Sequence, residues 1–267
     1  MKWQHGAIAA IGITALLGGV TLFIQAQPNL MQGLEITSNK PISRAATDFL
    51  QAGLARAKQG DLQSAIQNYD RALQIAPDYV EAYISRGIAY RELRDPTQAV
   101  ANFQKAIQIA PRHAETYYNL GETQASFDDS IGAIESLSKA IRLNPRYAEA
   151  YMGRGVLYGM ADKFDKAVAD FDRSIQINSQ NSDAYYNRGF AYAELKNVEA
   201  AIADYTEAIK LNPDLAVAYG GRGVLYGQAG NQSAAQADLQ KAIQLFQQQG
   251  DDTNYQKTFL LLQKIRS

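Results

Sequence analysis

Few side chains in this sequence are of the types that perform catalysis. It has no cysteine and only two histidines, His5 and His113, far apart along the chain. Disulfides, thiolate nucleophiles and thiolate metal sites are therefore excluded. Asp128 and Asp129 are adjacent, but a metal ion would need more oxygen ligands at loop spacing, and the pair is typical of a turn and helix start. We expect His113, which follows Pro111 in a turn, to be exposed.

The remaining polar residues do not assemble into another known kind of site. The formal net charge is −1, so a nucleic-acid partner is not indicated. The glycines are spread along the chain rather than gathered in a phosphate-binding loop. No paired acid and base stand at a spacing that suggests proton transfer. The sequence therefore predicts no catalytic residue, no cofactor and no metal site, and we do not expect an enzyme.

A period of 34 residues organises most of the chain. One glycine recurs in every unit: Gly53, Gly87, Gly121, Gly155, Gly189 and Gly223. An aromatic residue precedes each glycine by four: Phe49, Tyr83, Tyr117, Tyr151, Tyr185 and Tyr219. An alanine follows each glycine by twelve: Ala65, Ala99, Ala133, Ala167, Ala201 and Ala235. Such self-similarity indicates a stack of small helical units.

These residues resemble the pattern of the tetratricopeptide-repeat (TPR) family. The resemblance covers about residues 46–249 and implies an all-α, right-handed superhelix of six helix-turn-helix repeats. The repeats are 46–79, 80–113, 114–147, 148–181, 182–215 and 216–249. Arg56 and Gln124 stand where an aromatic residue is expected, so we expect looser packing in the first and third repeats.

Residues 250–267 should form a C-terminal capping helix. Tyr255, Phe259, Leu262 and Ile265 fall on one face of this helix. We expect that face to cover the sixth repeat.

Comparison of the repeats with one another predicts ion pairs. Three repeats have arginine before the recurring glycine and aspartate sixteen residues later: Arg154 with Asp170, Arg188 with Asp204, and Arg222 with Asp238. We predict that each pair joins the two helices of its repeat. The alternative is that the arginines bind an acidic ligand.

The N-terminal segment differs from the repeats. Residues 6–24 carry no charge and are long enough to span a bilayer, so we interpret 1–24 as a membrane anchor or signal segment and 25–45 as a linker. A weak cleavage site at Ile24-Gln25-Ala26 leaves a cleaved signal as the alternative. Lys2 before the span places the repeats on the non-cytoplasmic side of a plasma or thylakoid membrane. After cleavage the protein would be secreted or periplasmic.

The resemblance also implies a binding surface, because first helices of TPR units line a concave groove. By position, the groove residues are Ile84, Ile88, Arg91, Tyr118, Asn119, Glu122, Met152, Val156, Tyr186, Asn187, Phe190 and Val224. This mostly apolar trough suits a peptide or a helix of a protein partner. Homo-oligomerisation stays open.

One TPR subclass clamps the C-terminal carboxylate of chaperones with basic residues and asparagines. The matching positions here hold Leu50, Leu54, Ser85, Glu115 and Asn119. The basic residues are missing, so we expect no binding of that kind.

An acidic residue recurs near the start of four first helices, at Glu81, Glu115, Glu149 and Asp183. It could form an acidic lip that selects a basic partner. We favour the interpretation that the positive end of the helix dipole stabilises these carboxylates.

Together these features predict a membrane-tethered scaffold or assembly factor. The architecture resembles bacterial membrane-tethered TPR proteins, including cyanobacterial factors for photosynthetic complex or pigment biogenesis. The alternative is an exported soluble adaptor in envelope or pilus biogenesis after cleavage behind Ala26. A carrier of a hydrophobic ligand is a third class, disfavoured because an open superhelix encloses no cavity.

Overall fold

A computed structural model describes residues 42–266 of the chain, without the side chain of Arg266. Thirteen α-helices and their connections make up this range, which contains no strand. The helices are α1 (Arg44–Lys58), α2 (Leu62–Ile75), α3 (Val80–Glu92), α4 (Pro96–Ile109), α5 (Ala114–Ser126), α6 (Ser130–Leu143), α7 (Ala148–Met160), α8 (Phe164–Ile177), α9 (Ser182–Glu194), α10 (Val198–Leu211), α11 (Ala216–Gln228), α12 (Gln232–Gln249) and α13 (Asp252–Arg266). The predicted all-α repeat solenoid is thus confirmed, and its right-handed superhelical form stays a prediction.

The helices follow the predicted repeats in pairs. In α1–α2, α3–α4 and α5–α6 the first helix packs on the second, and so do the helices of α9–α10 and α11–α12. Contacts divide the chain into two compact units, one ending at Ala150 and the other beginning at Tyr151. Each unit has its own buried alanines and aromatic residues at the recurring positions, for example Phe103 in the first and Phe171 in the second.

A left-handed residue turns the chain between the two helices of every repeat. Six equivalent positions have φ between 56° and 81°: Gly60, Arg94, Asp128, Asp162, Lys196 and Gly230. The next residue donates its backbone N–H back across the turn, as Asn197 does to the Tyr192 carbonyl at 2.9 Å. In five repeats that residue also caps the second helix through its side chain: Asp61, Asp95, Asp129, Asn197 and Asn231. The turn and the cap together fix the helix pair.

The recurring glycine is required by close packing of the two helices. A Cβ atom built on Gly155 would lie 2.7 Å from a ring carbon of Phe171 on the second helix. Alanine is the better helix former by about 1 kcal/mol, so the glycine is explained by space rather than by helix propensity.

The predicted arginine–aspartate pairs are confirmed in all three repeats. Arg188 Nε and Nη2 donate to Asp204 Oδ2 and Oδ1 at 2.8 and 2.7 Å. The corresponding distances are 2.8 and 2.7 Å from Arg154 to Asp170, and 2.7 and 2.9 Å from Arg222 to Asp238. Because the guanidinium groups are bonded inside the repeats, the alternative of an acidic ligand is not supported.

The third repeat joins its helices in a different way. Leu120 and Ser136 replace the arginine and the aspartate, and the Ser136 hydroxyl lies 2.6 Å from Gln124 Oε1. Gln124 Nε2 donates to Asp129 at 3.0 Å. The Gln124 amide thus forms hydrogen bonds where other repeats have an aromatic residue, and the looser packing expected in the first and third repeats stays a prediction.

The C-terminal helix α13 is present, but only part of the predicted face is buried. Leu262 and Ile265 pack with Leu239 of the sixth repeat. Phe259 is 39% exposed and stacks on the Tyr255 ring, with centroids 6.2 Å apart. The expectation that Phe259 covers the repeat is wrong, because its ring lies beside the buried stripe.

The membrane anchor predicted for residues 6–24 and the linker up to residue 41 lie outside the described residues. From residue 42 onward, no helix combines the length and apolar character needed to cross a bilayer.

Candidate functional site

The structure buries most of the predicted groove residues. Nine have at most 6% of their surface exposed: Ile84, Tyr118, Asn119, Met152, Val156, Tyr186, Asn187, Phe190 and Val224. Tyr186 and Phe190, for example, belong to the core of the second unit. These side chains are therefore buried among packed helices rather than lining an open apolar trough, and contact of any of them with a partner stays a prediction.

The three predicted groove residues that keep more solvent contact lie on two helices that contact each other. They are Ile88 and Arg91 on α3, and Glu122 on α5. Both helices are first helices of the first unit, and they contact each other. This side of α3 and α5 is therefore the accessible part of the predicted surface.

Five polar residues gather on this side, and we call them the acidic cluster: Glu81, Glu115, Tyr118, Glu122 and Tyr147. Glu81 and Glu115 lie in the first turns of α3 and α5. Tyr118 follows Glu115 by three residues and Glu122 follows Tyr118 by four, which places all three on one face of α5. Tyr147 immediately precedes α7. The sequence does not mark Tyr147 as a site residue, since the last residue of a repeat gives no sign of which helix it packs on.

The two tyrosines form the aromatic wall of the acidic cluster. Their ring centroids lie 4.9 Å apart with the planes inclined by 33°. Burial raises the pKa of Tyr118, and the charges of Glu122 and Glu149 raise it further. Burial followed by the charge of Glu115 raises the pKa of Tyr147. Both phenols thus stay protonated at neutral pH and can donate hydrogen bonds.

Glu122 is a carboxylate held among protein atoms without a bound cation. Burial raises its pKa to about 7, and the positive charge of Arg91 only partly opposes that shift. Within residues 42–266 its side chain forms no hydrogen bond, and no ion pair joins it to Arg91. The residue nevertheless keeps some solvent contact. A carboxyl group that is desolvated, unpaired and still accessible is a candidate for ligand binding.

Three acidic residues of the repeated lip, Glu81, Glu115 and Asp183, are also desolvated. Burial raises the pKa of Glu81 and of Glu115, and the charge of Glu81 adds to the shift at Glu115. In the second unit burial likewise raises the pKa of Asp183. A carboxylate governed by the helix dipole would show a lowered pKa. Desolvation outweighs any stabilisation by the dipole at these three residues.

Groups of catalytic type do not converge here. His113 is half-buried, and its Nδ1 lies 2.7 Å from the Thr116 hydroxyl, so the expectation of an exposed histidine is wrong. Burial lowers the pKa of His113. Asp129 caps α6 by accepting the Gly132 N–H at 2.9 Å. Within the described part of the chain, no group of three histidines or carboxylates could hold a metal ion.

The fold and this site define a helical repeat protein with a polar first-helix surface. Tetratricopeptide-repeat family models match residues 80–113, 182–215 and 216–249, and TPR-repeat models match 53–93, 132–162 and 161–196. Together these matches cover more than half of the chain. The chain therefore belongs to the tetratricopeptide-repeat family.

Solved structures of other repeat proteins are similar. A MamA protein is 28% identical, with a TM-score of 0.57 over 63% of this chain and 92% of that chain. YrrB, described as a TPR protein with an unusual peptide-binding site, is 25% identical, with a TM-score of 0.54 over 65% of this chain and 89% of its own. PilF from Pseudomonas aeruginosa shares the fold at 18% identity, with a TM-score of 0.70 over 80% of this chain and 96% of PilF. No match was found among curated protein sequences.

Proposed function

We propose that this protein is a non-enzymatic adaptor that binds a segment of a partner protein against α3 and α5. The observation that carries the proposal is Glu122, a desolvated carboxylate that remains accessible and has no cation bound among the described residues. Membership of the TPR family supports protein binding as the general role. The description of YrrB as a peptide-binding TPR protein supports a peptide segment as the ligand.

Site-specific photo-crosslinking tests where the partner binds. A photoreactive amino acid replaces Ile88, which lies on α3 beside the acidic cluster and is partly accessible. The matched control replaces Ile131 on α6, which is 77% exposed. We expect a discrete crosslinked partner from position 88 in cells and none of that species from position 131. Equal products from both positions, or none from position 88, would contradict the proposed binding surface.

The proposal extends to the cellular location of the adaptor. A membrane-tethered scaffold requires residues 6–24 to remain as an anchor, whereas an exported adaptor in envelope or pilus biogenesis requires their removal. Of the two, we propose the exported adaptor, because its repeats bind the partner without any contribution from the N-terminal segment. Mass spectrometry of the mature N-terminus decides: a chain that begins at Gln27 supports export, and an intact segment supports the tether. A role in photosynthetic assembly or pigment biogenesis would follow only from the identity of the crosslinked partner.

A further inference from the structure

The acidic cluster carries more negative than positive charge. Among its three carboxyl groups, Glu81 acts on Glu115 through like charge, and Glu122 interacts with one nearby cation, Arg91 on α3. Glu149 on α7 adds another carboxylate near the two tyrosines. Since like charges that share a desolvated site repel one another, a cation entering the cluster would relieve that repulsion.

Tyr118 gives a second and independent indication of a ligand. It is 4% exposed, yet its hydroxyl forms no hydrogen bond within residues 42–266. The groups around it are Glu122, Tyr147 and Glu149, with Arg91 nearby. The Tyr118 hydroxyl is not one of the fully buried side-chain atoms without a partner in the described part of the chain, so its oxygen reaches solvent while the ring is buried. An accessible hydroxyl without a hydrogen bond to the protein can bond to a group that a ligand supplies.

Comparison between repeats shows that the fold does not require a carboxylate at Glu122. The equivalent positions hold only apolar residues: Leu54, Ile88, Val156, Phe190 and Val224. Tyr147 is matched by Tyr79 in the first repeat and by Leu215 in the fifth, so the phenol does not distinguish the third repeat. The charge at Glu122 is an addition to a position that packs well without it.

We propose that the acidic cluster binds one lysine or arginine side chain of the partner segment. The cationic group would pair with Glu122 and Glu115, while its aliphatic stem would lie against the rings of Tyr118 and Tyr147. A lysine or arginine side chain supplies a positive charge that neutralises the carboxylates. Its N–H groups can also donate a hydrogen bond to a phenol oxygen. The inference rests on the proposed adaptor function and specifies its ligand as a basic peptide.

Selection from a library of random twelve-residue peptides tests this inference. The full-length protein is immobilised as the wild type, as Glu122→Gln and as Glu135→Gln. Glu135 is an exposed carboxylate on α6, so its variant removes the same charge outside the cluster. We expect lysine or arginine to be enriched at one fixed position with the wild type and with Glu135→Gln, and the enrichment to vanish with Glu122→Gln.

A selected peptide then allows the interaction to be measured directly. Replacing its basic residue with norleucine should weaken binding to the wild type about tenfold or more. The same replacement should change binding to Glu122→Gln by less than about twofold. Arg91→Gln should bind the basic peptide more tightly, since Arg91 no longer competes for Glu122.

The outcomes separate the inference from the function on which it rests. Selected peptides without a fixed basic residue, or an enrichment that survives in Glu122→Gln, would overturn the basic-ligand inference and leave the adaptor function standing. If no peptide is enriched by any of the three proteins, both are contradicted.

Discussion

Glu122 lowers the stability of the protein in its unliganded state. Its ordinary pKa of 4.5 is raised to about 7, mainly by burial. A carboxyl group with a raised pKa binds its proton more tightly in the folded than in the unfolded chain, so stability falls as the pH rises between these two values. The ionised group is disfavoured most above pH 7, where a bound cation would relieve the effect.

Glu122→Gln should therefore stabilise the unliganded protein in a pH-dependent way. The substitution removes the ionisable group, and we expect a gain on the order of 2 kcal/mol at pH 8 and almost none at pH 4.5. Urea unfolding at the two pH values measures the difference. Glu135→Gln, which removes the same charge from an exposed position on α6, serves as the control. A gain of equal size at both pH values would mean that ionisation of Glu122 is not the cause.

The arginine–aspartate pairs place charged groups inside the repeats, where each aspartate accepts two hydrogen bonds from its arginine. Asp204 is 6% exposed; burial raises its pKa, while Arg188 acts in the opposite direction. The Arg188 guanidinium also contacts Asp172 at 2.6 Å and lies 5.5 Å from the Tyr185 ring centroid. Such a pair adds little net stability compared with an apolar pair, but removal of one member leaves a buried charge.

Arg188→Met should destabilise the protein by about 3 kcal/mol, because Asp204 loses its only bound cation among the described residues. The double variant Arg188→Met with Asp204→Leu should recover most of that loss. Chemical denaturation of the two single variants and the double variant gives the coupling free energy. Additive effects in this cycle would show that the two side chains do not depend on each other.

Sequence comparison predicted these pairs more successfully than it predicted the surface. Arg188 and Asp204 vary together among repeats, so their contact could be read without a structure. The burial of Tyr186 could not, because its spacing places it on a helix face without indicating how closely other side chains pack there. Glu122 differs from its equivalents in charge, and that difference was the available signal for the accessible site.

At the scale of the helix pair, the turn is defined by backbone conformation more than by residue type. Four of the six left-handed positions hold a residue other than glycine: Arg94, Asp128, Asp162 and Lys196. For such residues the left-handed region costs about 1–2 kcal/mol. The backbone hydrogen bonds across the turn and the side-chain cap that follows it offset this strain. The turns therefore form in every repeat although the residues at the left-handed position differ.

Lys196→Gly should stabilise the fifth repeat. Lys196 has φ of 63° and an exposed side chain, so glycine removes strain without removing a buried contact. We expect a gain of about 0.5 kcal/mol, since part of the relieved strain is offset by the greater freedom of glycine in the unfolded chain. Thermal unfolding compares it with Lys196→Ala, which keeps the strain and should give no gain. Equal melting temperatures for the two variants would contradict this explanation.

At the scale of the whole molecule, the number and order of the helices followed from the 34-residue period. Six copies of one pattern constrain the assignment far more than any single helix does, because a register error would have to recur in each copy. The face left open for a ligand was less predictable. It depends on departures from the pattern, such as Glu122, and on the neighbours that helix packing brings beside them.

A stack of repeats needs its last unit covered, and α13 performs this role. Leu262, 5% exposed, packs with Ile265 of α13 and with Ala235 and Leu239 of the sixth repeat. Leu260, two residues earlier on the same helix, is 56% exposed. These two leucines make a matched pair in which only burial differs.

Leu262→Ala should lower the free energy of unfolding by about 2–3 kcal/mol, because it removes buried methyl groups and leaves a cavity against the sixth repeat. Leu260→Ala should change it by less than about 0.5 kcal/mol. Urea unfolding measures both, and hydrogen exchange shows where the protection is lost. In a stacked array each repeat depends chiefly on its neighbours, so the loss for Leu262→Ala should centre on α12 and α13 and weaken toward α9. An effect spread evenly over α9 to α13 would instead mean that the second unit unfolds as one cooperative body, and the cap would then stabilise all of it rather than its last repeat.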